Sequence, residues 1–197
     1  YSKCDVITWS WQKVLGGEAQ HGILVLSPRA VERLENFIPS WPIPKLFRLA
    51  NKGVFQKKIF NGSTINTPSM LCIEDAIHSL QWVHSIGGAN SMIKRSLSNL
   101  QIIEEWETKT GWIEFLAKNK SIRSSTSICL KIIDPWFLQL DKDMQKEVLK
   151  QFFSLLEEKK AAYDINHYPS APPGIRIWGG GTIENQNIEL LLPWLDW

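Results

Sequence analysis

The stretch CDVITWSWQKVLGGEAQHGILVLSPRAVERLE, residues 4–35, decides how the chain is read. Cys4 to Trp9 is β-branched and aromatic, GILVLS at 22–27 is a second short apolar run, and a polar, glycine-containing segment separates them. Two strands joined by a turn are expected, the first of them buried. Ser27-Pro28 has the form of an N-cap followed by a first helical residue, which predicts a helix over Arg29 to Glu35. Lys13 therefore falls on the connection between two strands. An amine that attacks an aldehyde must be fixed, partly desolvated and approachable from one side, and Gly16 and Gly17 leave room beside it. Taken alone, a lysine in a turn is ordinarily a solvated surface residue.

Downstream, a proline-rich loop runs through Pro39, Pro42 and Pro44. Asn66-Thr67-Pro68 precedes an amphipathic pattern of Leu71, Ile73, Ala76, Ile77, Leu80, Trp82 and Val83, which stops at Gly87-Gly88. Helix capping would by itself account for Asn66 and Thr67, although the same helix N-terminus also suits a phosphate. A second helix is expected over Ser91 to Thr108, bearing Ile93, Leu97, Leu100, Ile103 and Trp106. From about residue 110 the pattern changes. Strands at Trp112 to Ala117 and Ser127 to Ile133, a helix at Asp141 to Lys160, a strand at Gly174 to Trp178 and a helix at Ile183 to Leu195 suggest a small α/β domain.

The composition bounds the class. An apolar fraction of 44% and a charged fraction of 21% are ordinary globular values, and 22 Lys and Arg against 20 Asp and Glu leave only +2, too little for a nucleic-acid footprint. Cys4, Cys72 and Cys129 form neither a disulfide framework nor a metal-ligand cluster, so no metal is expected and a reducing, cytoplasmic setting fits. No apolar run is long enough to span a bilayer, so no membrane partner is expected. With Tyr1 as first residue and strand text directly behind it, we expect a sequence that begins inside a domain, a fragment.

The run TWSWQKVLGGEAQHGILVLSPRAVERLE, taken with INTPSM and GIRIW, resembles phosphoserine aminotransferases of the class V pyridoxal-phosphate-dependent family, in the subgroup whose lysine motif reads SWQKVLGG. The similarity covers nearly the whole chain and stops at the terminal PWLDW. It implies an α/β fold, the fold-type I PLP-dependent transferase, with residues 1–109 as the C-terminal part of the large cofactor-binding domain and 110–197 as the small C-terminal domain. It also implies that Lys13 holds pyridoxal 5′-phosphate as a Schiff base and shuttles the proton between the amino-acid α-carbon and the cofactor. Gln12 resembles the family's glutamine at the cofactor phosphate. Asn66 and Thr67 match the Asn-Thr that reaches the phosphate of the other subunit, which implies a homodimer.

Arg176, in Gly174-Ile175-Arg176, matches the arginine that grips the substrate α-carboxylate, where a planar fork fixes the bond to be broken. On residue type alone an arginine in a strand would face solvent. Gly179-Gly180-Gly181 reads as a turning loop. The family's His-Arg pair for the substrate phosphate is incomplete, since His167 is followed by Tyr168. His21 reads either as a turn histidine without a role or as a contributor to that pocket.

The implied reaction is amino transfer between phosphoserine and 2-oxoglutarate, giving 3-phosphohydroxypyruvate and glutamate, in serine biosynthesis. The carboxylate facing the pyridine nitrogen and the ring stacked on the cofactor precede Tyr1 in the family order, so the fragment is expected to be inactive alone; Asp5 is too close to the lysine to be assumed a substitute. Two other readings stay open. A different class V aminotransferase or a desulfurase would share Lys13, and ten tryptophans could mark a non-catalytic binding module, although core packing accounts for their spread.

Overall fold

A computed structural model describes residues 2–19 and 21–197. The chain divides into two compact units, Tyr1–Trp82 and Val83–Trp197.

In the first unit, β1 (Val6–Ser10) and β2 (Gly22–Leu26) pair antiparallel, Val6 opposite Leu26 and Ser10 opposite Gly22. Helix α1 (Pro28–Asn36) follows, capped by Ser27, whose Oγ accepts from the Ala30 N–H at 3.1 Å. The proline-rich segment contains a 3-10 turn (Lys45–Phe47), a short ladder of β3 (Ala50–Asn51) with β4 (Val54–Phe55), and the one-turn helix α2 (Lys57–Phe60). Helix α3 (Met70–Ser85) closes the unit. The expected burial of the first strand is corrected here. Val6 is 55% and Trp9 46% exposed, and Leu24 and Val25 are exposed as well. The hairpin is apolar on both faces, with Val6 and Leu24 on one and Trp9 and Val25 on the other, a pattern suited to strands covered on both sides. Two strands and one short helix are too little to cover both.

Gly87, with φ +105°, sits between α3 and α4 (Gly88–Glu107), so the second helix starts earlier than Ser91 and uses Gly88 as its first residue. In the second unit β5 (Ile113–Phe115), β6 (Ser127–Ile132) and β7 (Gly174–Trp178) form an antiparallel sheet in that order. Its inner face carries Ile113, Phe115, Ile128, Leu130, Ile175 and Ile177. They join one core with Leu149, Phe153 and Leu156 of α6 (Lys142–Glu158), Ile188, Leu192 and Leu195 of α7 (Asn185–Asp196), and Phe137 of the short α5 (Pro135–Gln139). Only glycine fits at position 174, where a Cβ would lie 2.0 Å from the Leu130 carbonyl oxygen. The outer face alternates to polar residues, with Glu114 paired to Lys131 at 2.6 Å and Arg176 opposite Cys129.

Along α4 the buried positions are Met92, Ser96, Asn99, Ile103 and Trp106, while Ile93 and Leu97, expected in the core, are exposed. The reason is polar. Asn99 Nδ2 donates to the carbonyls of Gly179 at 3.2 Å and Ile183 at 3.1 Å, and Ser96 Oγ donates to that of Ser125 at 2.7 Å. Carbonyls just before β6 and in the loop after β7 take these donors, and the helix is rotated so that Ser96 and Asn99 reach them. Because α4 packs on α7 and β5, the compact units part within α3, earlier than the boundary expected between 109 and 110. The contact units of this chain and the domains of a longer protein are different divisions.

Candidate functional site

Lys13 lies in the connection between β1 and β2, exposed, with Gln12 exposed beside it. The turn is closed by the Gly16 N–H donating to the Lys13 carbonyl (3.0 Å) and the Gly17 N–H to that of Trp11 (2.9 Å), with Gly16 left-handed at φ +69°. Nothing lies within 4 Å of where a Gly16 Cβ would be, so that side of the turn is open. The Gln12 N–H donates to Ser10 Oγ at 3.3 Å. Exposure of Lys13 differs from the partly desolvated setting expected, and an open turn in this chain accounts for it.

The same connection touches the start of α3. The Ser69 N–H donates to His21 Nε2 at 3.0 Å, the Trp11 and His21 rings meet edge to face with centroids 5.9 Å apart, and the Cys72 thiol points to the Glu18 carboxylate at 3.8 Å. Ser69 Oγ accepts from the Cys72 N–H (3.4 Å), so Ser69 takes the capping role rather than Asn66 or Thr67. Those two residues are exposed in the loop just before it. Asp5 is engaged elsewhere, its Oδ1 accepting from Ser27 Oγ at 2.9 Å and its two oxygens from Arg29 Nε and Nη2, each at 2.7 Å. The Arg29 guanidinium and the Ser27 hydroxyl hold this carboxyl below the usual carboxylate range.

Arg176 and His167 lie in the second unit. Arg176 is 23% exposed on the outer sheet face, where Nε donates to the Asn166 carbonyl at 3.3 Å and Nη2 to that of Asp164 at 3.4 Å. The Asp164 carboxylate stands 3.5 Å from Nη2, and the Tyr168 ring lies 4.7 Å beneath the guanidinium. A bridge between Asn166 and Ile175 brings the loop alongside β7, and the adjacent His167 is half-buried with Nδ1 enclosed and unpartnered. Sequence reasoning missed Tyr168 and Asp164 as neighbours of Arg176, Glu18 as a neighbour of Cys72, and Ser69 as the partner of His21. His21 was noticed through its closeness to the lysine, but no spacing reveals a partner 48 residues away.

No protein-family model matches the chain. Phosphoserine aminotransferases of Methanosarcina mazei and Methanosarcina barkeri are each 51% identical to it over 197 residues, 100% of this chain and 50% of theirs. The chain thus spans about half the length of the curated relatives it matches. Among solved structures, a PLP-bound phosphoserine aminotransferase from Trichomonas vaginalis superposes with a TM-score of 0.70 at 16% identity, covering 100% of this chain and 49% of that one. A phosphoserine aminotransferase from Cytophaga hutchinsonii gives 0.68 at 17%, covering 99% and 50%. The fold is mixed α/β and consistent with the C-terminal part of the fold-type I transferases.

Proposed function

From the premise that the chain is homologous along all 197 residues to phosphoserine aminotransferases, we propose that it is the C-terminal half of a phosphoserine:2-oxoglutarate aminotransferase of serine biosynthesis, a cytoplasmic homodimer. The observation that carries this reading is the 51% identity over the whole chain, and the Lys13 turn supports it. The residues present fit pyridoxal phosphate. Lys13 is an exposed primary amine on a turn with an open side, and Asn66 and Thr67 offer an exposed amide and hydroxyl suited to a phosphate.

When bound, pyridoxal phosphate supplies the electron sink for the amino acid's α-carbon. Lys13 would hold this group through Nζ, and the same nitrogen would carry the amino acid's α-proton. Gln12, Asn66 and Thr67 bind its phosphate, the last two from the partner protomer. Arg176 takes the substrate α-carboxylate with its fork, and Tyr168 and the carbonyls of Asp164 and Asn166 fix the orientation of the guanidinium. His167, with its unpartnered Nδ1, serves the substrate phosphate. On this reading the 197 residues are inactive alone, since the relatives are about twice as long.

The protein that carries this chain should convert phosphoserine and 2-oxoglutarate to 3-phosphohydroxypyruvate and glutamate. Serine and alanine should be poorer by on the order of 10³-fold or more in kcat/KM, because a hydroxyl or methyl leaves a phosphate pocket unfilled. Comparable efficiency on either amino acid would give the chain to another aminotransferase of the same fold.

A further inference from the structure

The connection between β1 and β2 is too long to be ordered by the hairpin. Ser10 and Gly22 are the last paired residues, and residues 11–19 and 21 lie outside the ladder. Short hairpin turns fix their own geometry, but an excursion of this length needs outside contacts. They come from α3. The Ser69 N–H belongs to the group of N–H donors at a helix start that have no partner within the helix, and His21 Nε2 accepts it at 3.0 Å. Trp11, two residues before Lys13, packs its ring on the same imidazole, and Glu18 meets the Cys72 thiol one turn into the helix.

We propose that His21 is a positioning residue. Its neutral imidazole, protonated at Nδ1 and accepting at Nε2, locks the Lys13 turn onto the start of α3 and so onto the loop that carries Asn66 and Thr67. The functional meaning rests on the reading of Lys13, Asn66 and Thr67 given above, although the bond itself does not. On that reading Asn66 and Thr67 serve the partner protomer's cofactor. His21 then joins the lysine of one site to the phosphate contacts of the other, and loosening it weakens both ends of cofactor binding in the dimer.

Two substitutions in the full-length protein separate the acceptor from the ring. His21→Phe keeps a ring for Trp11 and removes the acceptor, while His21→Gln keeps an acceptor oxygen near the place of Nε2. In cofactor-free protein, amide exchange of a peptide spanning Ser69 and the first turn of α3 should quicken about threefold or more in His21→Phe and stay within about twofold of the parent in His21→Gln. Pyridoxal phosphate titrated into the same proteins should bind about three- to tenfold more weakly to the Phe variant, with Gln restoring the affinity. Unchanged exchange or unchanged affinity in the Phe variant, or a Gln variant as impaired as Phe, overturns the proposal. Should the Phe variant not fold, the Gln variant decides, parental exchange and affinity upholding the proposal and loss of either overturning it. A parent that binds no cofactor at Lys13 would defeat the functional reading instead, and the exchange comparison would still judge the His21–Ser69 bond.

Discussion

Arg176 stands on the outer face of β7 already in company, with two carbonyls at 3.3 and 3.4 Å, a carboxylate at 3.5 Å and a tyrosine ring beneath it. These contacts are long and the carboxylate is exposed, so a substrate carboxylate that forms a bidentate pair would outcompete Asp164. Phosphoserine and glutamate share that carboxylate, so Arg176→Ala should weaken both half-reactions together while the cofactor still binds. Losing a charge-assisted fork should cost about 2 to 4 kcal/mol, or roughly 30- to 1000-fold in kcat/KM. Single-turnover absorbance measurements with each amino acid check this, and a variant that loses only phosphoserine would place Arg176 at the side-chain phosphate. The residue's position in a strand was legible from the alternation of GIRIW. Its neighbours were not, because Asp164 and Tyr168 reach it through a loop that has no period.

At the scale of elements, the hairpin and α1 are joined by a shared side-chain network. Asp5 receives Ser27, which caps the helix, and Arg29, which lies in its first turn, so one carboxylate fastens strand to helix. Its proton affinity is lowered in the fold, chiefly by the Arg29 hydrogen bond. A lowered carboxyl pKa gives stability that is present at neutral pH and lost as pH falls through the folded value. The thermal midpoint of the parent should therefore exceed that of Asp5→Asn at pH 7, and the gap should shrink as pH drops through the carboxylate range. A gap independent of pH would assign the difference to packing.

The boundaries of β2, α1 and β7 were readable because turn residues and caps are local signals. The pieces between Pro44 and Asn61 and the short α5 were not, since elements of two to five residues carry too little pattern. The stripe of α4 misled for another reason. Ser96 and Asn99 are buried to satisfy carbonyls, a need that no hydrophobic count registers.

Over the whole molecule, the second unit has a closed core and the first has few buried side chains, with a hairpin apolar on both faces. The apolar residues of that hairpin, Val6, Trp9, Leu24 and Val25, are left exposed. The resemblance rested on the lysine motif together with INTPSM and GIRIW, and curated phosphoserine aminotransferases are 51% identical along the whole chain; the role of each site residue is a proposal. The functional reading turns on Lys13 as the cofactor's anchor. Borohydride reduction of the full-length protein loaded with pyridoxal phosphate, followed by peptide mapping, tests it most directly. The account predicts a single pyridoxyl label on Lys13, absent in Lys13→Ala, whereas a label on another lysine, or none in a folded protein that turns over phosphoserine, would contradict it.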